Sequence, residues 1–282
     1  MPTVLSRARI GCAAAAALLA SAASAQAPAT EAAPADQRFW LRLGAFHADI
    51  DTRVRIDDAE LGVLGTDFSF ERYGMRDRKT LPTGLLGARL GERFRLEFEY
   101  FKLSRSGRAA LDQSIVFQGT TFPVNATLDS RFRSDVTRAS LGYSFVRTPQ
   151  FELGVVGGAH VTKFEMLLQS TASAAGGTTR IDREEKNVTV PLPTLGVYGA
   201  YAFNTGWALN WRADVFSLKH DGYDGKLFNA QADLLYRLTP AVAVGGSLRY
   251  LDYRLRADSN DDLRGRVNYK FKGPQLFVQV GF

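Results

Sequence analysis

Between residues 38 and 282 the chain is a series of long segments in which apolar and polar residues alternate. In RFRLEFEYF (93–101) two phenylalanines, a leucine and a tyrosine share one face, and two arginines and two glutamates lie opposite. The same period of two recurs in RASLGYSFV (138–146), WALNWRADV (207–215) and KLFNAQADLLYR (226–237). Because successive side chains of a β-strand point to opposite faces, this period predicts strands and an all-β fold.

The length of these segments distinguishes two folds that contain alternating strands. A soluble β-sandwich turns the apolar face inward, whereas a transmembrane barrel turns it outward against lipid. Soluble strands run to about 5–6 residues, and tilted membrane strands need about 9–11. The segments reach the membrane length, and past residue 25 no apolar run approaches the roughly 18 residues of a transmembrane helix. The pattern therefore predicts a transmembrane β-barrel.

Short connections alternate with long polar stretches along the chain. The short connections are LGERF (90–94), VRTPQF (146–151), FNTGW (203–207) and LTPAV (238–242). The long stretches lie near 57–80, 104–126, 168–190 and 256–266, with one tight distal hairpin at 220–225. Short turns at one rim and long loops at the other are typical of outer-membrane barrels. Counting segments predicts a closed, antiparallel, up-and-down barrel of about ten strands, with eight or twelve as alternatives.

Aromatic residues lie close to the short turns and to the ends of the barrel segment. They are Phe39, Trp40, Tyr143, Phe145, Phe151, Tyr201, Phe203, Trp207, Trp211, Tyr236 and Phe282. The strand propensity of aromatic residues explains their number but not this placement. In a barrel these positions meet at one rim, so they predict an aromatic belt at a membrane interface.

The first residues indicate export. Residues 1–25 combine Arg7 and Arg9 with a short apolar run and a small-x-small site, which predicts a cleaved signal peptide. The Ala/Pro-rich residues 26–37 predict a flexible leader, and 38–282 the barrel. The one cysteine, Cys12, would leave with the signal peptide, so the mature chain would have no disulfide or thiol chemistry.

The last residues, QLFVQVGF (275–282), alternate as a strand that is complete at its final residue. Its apolar face consists of Leu276, Val278, Val280 and Phe282. This ending resembles that of bacterial outer-membrane β-barrels, broadly those of the outer-membrane protein A type. The resemblance implies the outer membrane of a Gram-negative cell and a barrel-assembly machinery that reads these four residues. The apolar face changes from odd to even positions at Gly273-Pro274, which predicts a β-bulge.

The polar faces of the predicted strands carry charges of both signs. They include Arg95, Glu97, Glu99, Arg138, Arg212, Asp214, Asp233 and Arg237. A barrel of eight to ten strands is barely wider than its side chains, and a selective pore would carry one sign. We therefore expect a lumen largely filled by ion pairs, with a narrow porin-like pore as the alternative. The net charge of +6 is mild and dispersed, and predicts no nucleic-acid partner.

Catalytic chemistry has little support in the sequence. The histidines are His47, His160 and His220, and His220 lies at the distal hairpin, where a rim hydrolase would have its site. No serine or acid pair of recognisable spacing accompanies it, so no enzymatic activity, cofactor or metal site is predicted. The acidic run at 258–262 lacks the glycine and terminal glutamate of a calcium loop.

The long loops are the other candidate surface. ERYGMRDRKT (71–80) and TTRIDREEKN (178–187) place basic side chains near the outer rim, interleaved with acids. Basic side chains there would suit the phosphates of lipopolysaccharide. The sequence thus predicts a structural or surface-interaction role, with outer-membrane lipid and lipopolysaccharide as partners, and leaves the oligomeric state open.

Overall fold

The computed structural model describes residues 37–58, 62–173, 179–204, 206–220, 223–257 and 264–282. The predicted signal peptide and all but the last residue of the predicted leader lie outside these ranges, as does the acidic run at 258–262. Among the described residues, no helix is long and apolar enough to cross a membrane.

The described part of the chain forms thirteen strands, of which ten build a closed barrel. In chain order they are β1 (Phe39–Ile56), β2 (Phe68–Ser69), β3 (Arg78–Leu90), β4 (Phe94–Ala110), β5 (Ile115–Phe117), β6 (Thr120–Phe122), β7 (Thr127–Arg147), β8 (Phe151–Ser173), β9 (Thr179–Ala202), β10 (Trp207–His220), β11 (Tyr223–Arg237), β12 (Val242–Ala257) and β13 (Gly265–Gly281). All except β2, β5 and β6 are barrel strands, each antiparallel to its neighbours. The predicted closed, all-β, up-and-down barrel of ten strands is confirmed.

The barrel closes where β13 pairs with β1. The pairing runs from Trp40 opposite Gly281 to Ile56 opposite Gly265. Beyond it, the backbones of Phe39 and Phe282 exchange two hydrogen bonds of 2.8 and 2.9 Å, and their rings lie 5.7 Å apart. The last strand is therefore paired to its end, and the seam leaves no open edge.

Each long strand reverses the polarity of its two faces partway along its length. In β13 the outward residues at even positions are apolar from 274 to 282, and at 266–272 they are Arg, Asn, Lys and Lys. The inward residues reverse in the opposite sense, from Gln275 and Gln279 to Tyr269 and Phe271. The register on β1 and β12 passes through Gly273 without a shift. The predicted β-bulge is therefore wrong, because the surroundings of the strand change there and its side-chain alternation does not.

This reversal divides the barrel into two sections. The lower section, at the short turns, has apolar residues outside, and the upper section has charged residues outside. The apolar outer stretch covers 228–236 on β11 and 274–282 on β13, which matches the length a tilted membrane strand needs. We call this stretch around the barrel the apolar band.

Most of the predicted aromatic belt lies on the outside of the apolar band. Its exposed members are Phe39, Tyr143, Phe145, Tyr201, Phe203, Trp207, Tyr236 and Phe282. Phe151 and Trp211 are half-buried. Trp40 was placed wrongly by the sequence, since it points inward, where the guanidinium of Arg95 lies 4.9 Å from its ring centre. A cation over the indole face stabilises the ring inside a polar interior.

The upper wall is less continuous than the lower one. Strand β9 pairs with β8 along nearly its whole length, but with β10 only from Leu195 to Ala202. In the pairings of the described residues, the upper part of β9 has a strand neighbour on one side. Pro191 and Pro193 lie at this edge, where a missing N–H removes no ladder hydrogen bond and discourages pairing with other chains.

Candidate functional site

A network of ion pairs fills the centre of the lower section. Arg138 bonds Glu99 at 2.9 Å and Asp214 at 3.3 Å. Arg212 bonds Asp214 at 2.8 Å and Glu97 at 3.0 Å. All five side chains are buried. Buried charges persist only when they are paired and hydrogen-bonded, and each of these groups has at least two partners in the network or beside it.

The network continues outward through further residues. Arg249 bonds Glu99 at 2.7 Å, and Arg95 bonds Glu97 at 2.6 Å. Asp233 pairs with Arg42 and accepts a hydrogen bond of 2.6 Å from Ser247. The charges therefore alternate in sign across the interior, and the described residues form no ring of one sign along it.

The structure brings together seven of the eight lumen residues selected from the sequence. They are Arg95, Glu97, Glu99, Arg138, Arg212, Asp214 and Asp233. The eighth, Arg237, is half-buried at the turn-side end of β11. The predicted assembly residues Leu276, Val278, Val280 and Phe282 lie on the outer face of β13.

Sequence reasoning missed four buried charged residues of the same interior. They are Arg42, Arg89, Glu152 and Arg249. Arg89 forms a bidentate pair with Glu152 at 2.9 and 3.0 Å near the short-turn rim. Each lies at an inward position of an alternating strand, so the period-two pattern would have found them had it been applied to every strand.

The upper section is filled mainly by aromatic side chains, with Arg105 as a buried charged residue among them. Phe164 lies at the centre, with ring centres of Phe132, Tyr253 and Tyr269 between 5.5 and 6.0 Å away. The hydroxyl groups of Tyr269 and Ser134 share a hydrogen bond of 2.6 Å. The expectation of a lumen largely filled by mixed charges therefore holds only for the lower section, because the upper wall faces water and needs an apolar core.

Two connections fold back over this core and form a plug. One is 62–77, with Phe68, Phe70 and Tyr73, and the other is 111–126, with Phe117 and Phe122; all of these aromatics are buried. The backbone N–H of Thr66 donates to Val116 O at 2.7 Å and joins the two. We call these two connections the plug.

Polar contacts hold the plug to the barrel wall. Arg105 of β4 bonds Glu71 at 2.6 Å, and the same carboxylate accepts a hydrogen bond from the Thr52 backbone at 3.0 Å. On the outer side of the plug, Arg72 donates to Asp112 at 2.7 Å, and this hydrogen bond holds the pKa of the Asp112 carboxyl below its usual value. The upper opening is thus covered by ordered, bonded residues.

The interior leaves little space between these parts. A cavity of about 10 Å³ lies beside His160, between the ion pairs and the aromatic core. Another, of about 30 Å³, lies beside Arg42 and Arg212. A single water needs about 10–15 Å³ measured this way, so such cavities hold one or two waters.

The outside of the upper section carries a cluster of cations on β11, β12, β13 and β1. A surface groove of about 470 Å³ is lined there by Arg53, Lys226, Arg254, Arg256, Arg266, Lys270, Asp51, Asp224 and Asp252, among others. Cations outnumber acids in this lining by six to three. We call the cations of this groove, together with Lys272, the basic face.

The basic loop residues singled out from the sequence are mostly engaged or lie elsewhere. Arg72 bonds Asp112 in the plug, Lys79 bonds the Ser104 carbonyl, and Arg183 lies 3.7 Å from Glu185. None of these lines the groove.

The two histidines with described side chains, His47 and His160, do not come together. His47 is exposed and bonds Thr80 at 3.0 Å, whereas His160 is buried in β8. The side chain of His220 lies outside the described residues, as does its neighbour Asp221. Within the described ranges no group of three or more His, Cys, Asp or Glu residues could hold a metal ion.

No protein family matches the sequence, and no curated protein matches it. Among solved structures, the fold is similar to that of the outer-membrane protease OmpT of Escherichia coli. The TM-score is 0.56 at 12% identity, over 89% of this chain and 98% of that one. The transport unit of the Escherichia coli autotransporter AIDA-I has a TM-score of 0.42 at 9% identity, over 95% and 97% of the two chains.

A Pseudomonas aeruginosa FadL homologue has a TM-score of 0.39 at 12% identity, over 88% of this chain and 91% of that one. Of these three, OmpT alone has a TM-score above 0.5, and at 12% identity the likeness extends to the fold alone. The chain has the fold of a bacterial outer-membrane β-barrel, in agreement with the resemblance of its last residues.

Proposed function

We propose that the protein is an integral outer-membrane barrel that is closed to solutes, has no enzymatic activity, and acts through its external surface. Its partners in this role are the lipid and lipopolysaccharide of the outer membrane. The carrying observation is that the interior is filled along its length, by ion pairs below and by aromatic side chains above, under the plug.

The charge pattern supports closure over a narrow pore. A selective pore needs charges that face a water-filled path. Here Arg138, Arg212 and Glu97 are each bonded to groups of opposite charge and are buried. An ion entering this interior would have to break pairs whose separation leaves uncompensated charges at low dielectric.

Planar-bilayer conductance of the refolded mature chain tests this proposal. A gel shift on heating identifies folded protein, and a general porin in the same bilayer serves as the positive control. We expect no discrete steps from this chain. Reproducible single-channel steps would overturn closure, and single Arg212→Gln and Asp233→Asn variants would then show whether those side chains set the ion selectivity.

A further inference from the structure

Cross-strand pairs of like charge are concentrated on the basic face. Arg266 lies directly opposite Arg55 on β1 and Arg256 on β12. Lys226 of β11 lies directly opposite Arg254 of β12. Like charges in such positions destabilise a sheet, so this surface holds a repulsion that a bound anion would relieve.

Acids on this face offset only part of the repulsion. Asp252 is shared between Arg254, at 2.8 Å, and Lys270, at 3.7 Å. Asp224 is 4.0 Å from Lys226, and Asp51 is 3.6 Å from Arg53. Exposed pairs of this length contribute little.

Further acids lie beside the like-charge pairs, since Arg55 bonds Asp57 at 3.1 Å and Asp224 lies directly opposite Arg256. Arg266 lies 3.4 Å from Asp67, which belongs to the plug connection. Lys272, opposite Asp49 on β1 and Tyr250 on β12, adds one more cation at the lower border of the face.

Acids also lie opposite cations on the basic face, as Asp51 and Asp252 do opposite Lys270. The other side of the barrel differs because the described residues of β4, β7 and β8 form no cross-strand pair of like charge. On β4, β7 and β8, Asp135 lies opposite both Lys102 and Lys163. Arg133 lies opposite Glu165. Cations and acids alternate across those strands, so the charges there already neutralise one another without a ligand.

The basic face begins at the border of the apolar band. Lys272 lies two residues above Pro274, and Lys226 lies two residues above Phe228, the last apolar outward positions of their strands. Two residues correspond to about 7 Å along a strand. The lowest cations of the basic face, Lys272 and Lys226, therefore lie at the height where the phosphorylated headgroups of a bilayer leaflet meet water.

We infer that the basic face binds the phosphate groups of a phosphorylated glycolipid of the outer leaflet. The acyl chains of this lipid would lie on the apolar band below, and its sugar phosphates would occupy the groove. A volume of about 470 Å³ falls in the usual range for small-molecule sites. The inference rests on the proposed membrane location and lipopolysaccharide partner, and adds the position on the barrel where the phosphates of that lipid bind.

Binding of bisphosphorylated lipid A to the refolded mature chain in zwitterionic detergent micelles tests this assignment, with native mass spectrometry as the readout. The test variant is Lys226→Gln/Arg254→Gln/Lys270→Gln. The matched control, Lys102→Gln/Arg133→Gln/Lys163→Gln, removes as many cations from the opposite side. We expect the test variant to lose at least about tenfold in affinity, the order of one charge-assisted contact, and the control to bind as the unmodified chain does.

A second variant guards against failure of the first to fold. Asp252→Asn removes the acid shared by two cations, and we expect it to bind lipid A more tightly. Equal losses in the test and control variants would overturn the inference, since binding would then follow net charge alone. Undiminished binding of dephosphorylated lipid A would also overturn it.

Free inorganic phosphate separates a soluble anion from a lipid headgroup as the ligand. We expect it to compete only weakly, and competition at the affinity of lipid A would overturn the lipid assignment. Conductance of the same samples is recorded separately. If the protein does not conduct and lipid binding is equal in the test and control variants, the inference is rejected and closure of the barrel stands. If the protein conducts and lipid binding depends on the basic face, closure is rejected and the inference stands.

Discussion

The lower and upper sections of the barrel are built from the same strands with the same alternation, yet their faces have opposite polarity. Below, apolar residues such as Leu96 and Val278 face outward and Arg138 and Glu99 face inward. Above, Phe132 and Phe164 face inward while Lys102 and Lys163 face outward. Alternation thus identifies a strand, and the medium outside the wall decides which face is apolar.

The two sections consequently draw their stability from different interactions. In the upper section, water outside and rings inside reproduce the core of a soluble barrel, where burial of apolar area stabilises the fold. In the lower section the apolar side chains gain nothing by turning inward, because lipid accepts them. Its interior is held by ion pairs and hydrogen bonds, whose loss leaves buried charges unpaired.

The largest expected effect comes from breaking the lower interior. Arg138→Ala removes one cation partner from each of Glu99 and Asp214, so we expect a loss of about 3–5 kcal/mol in the free energy of unfolding. Urea unfolding in micelles, followed by tryptophan fluorescence, measures it. Arg133→Ala is the control on the same strand, since Arg133 faces outward in the upper section and lies 3.6 Å from Glu165. A change of at most about 1 kcal/mol is expected there, and comparable losses in both variants would contradict the division into two sections.

A cavity in the upper core should lower the free energy of unfolding somewhat less than Arg138→Ala does. Phe164→Ala removes a fully buried ring between Phe132, Tyr253 and Tyr269. We expect a loss of about 3 kcal/mol, at the lower end for Phe→Ala, because the plug can settle into part of the space. The same unfolding assay measures it. Leu167→Ala, three positions further along β8 on the opposite face, is the control. A loss there as large as that of Phe164→Ala would show that the upper interior is not the core.

The strand count, the closure and most of the lower ion-pair network could be predicted from the sequence, because they follow from alternation, segment length and turn spacing. The reversal between sections could not. At Gly273 the apolar residues move from odd to even positions, and a one-residue slip of the strand would produce the same pattern. The sequence alone does not distinguish a one-residue slip of the strand from a change in the medium outside it, and the β-bulge predicted from it was wrong.

Two other features depend on contacts between residues far apart in the chain. Phe70 and Phe117 lie in connections that the sequence predicted as long polar loops, yet both are buried in the plug. The basic face requires the register that places Arg256 beside Arg266 and Lys226 beside Arg254. Register follows from the packing of the whole barrel, and the loop cations that the sequence favoured lie away from the groove.

The border between the two sections can be located by introducing an arginine at different positions on the outer face of one strand, in separate variants. Val155 and Gln169 both point outward on β8, the first near the middle of the apolar band and the second in the upper section. Val155→Arg should lower the free energy of unfolding in lipid vesicles by about 2–4 kcal/mol, because the guanidinium is moved from water into hydrocarbon.

Gln169→Arg should change the same quantity by no more than about 0.5 kcal/mol, since the new side chain remains in water. It would also lie opposite Asp129 of β7, which favours a cation. A loss at position 169 as large as that at position 155 would mean that lipid covers the upper wall as well. The charged exterior and aromatic interior of the upper section would then need a cause other than contact with water. A large loss at position 155 with little change at position 169 would place the border between these two residues of β8.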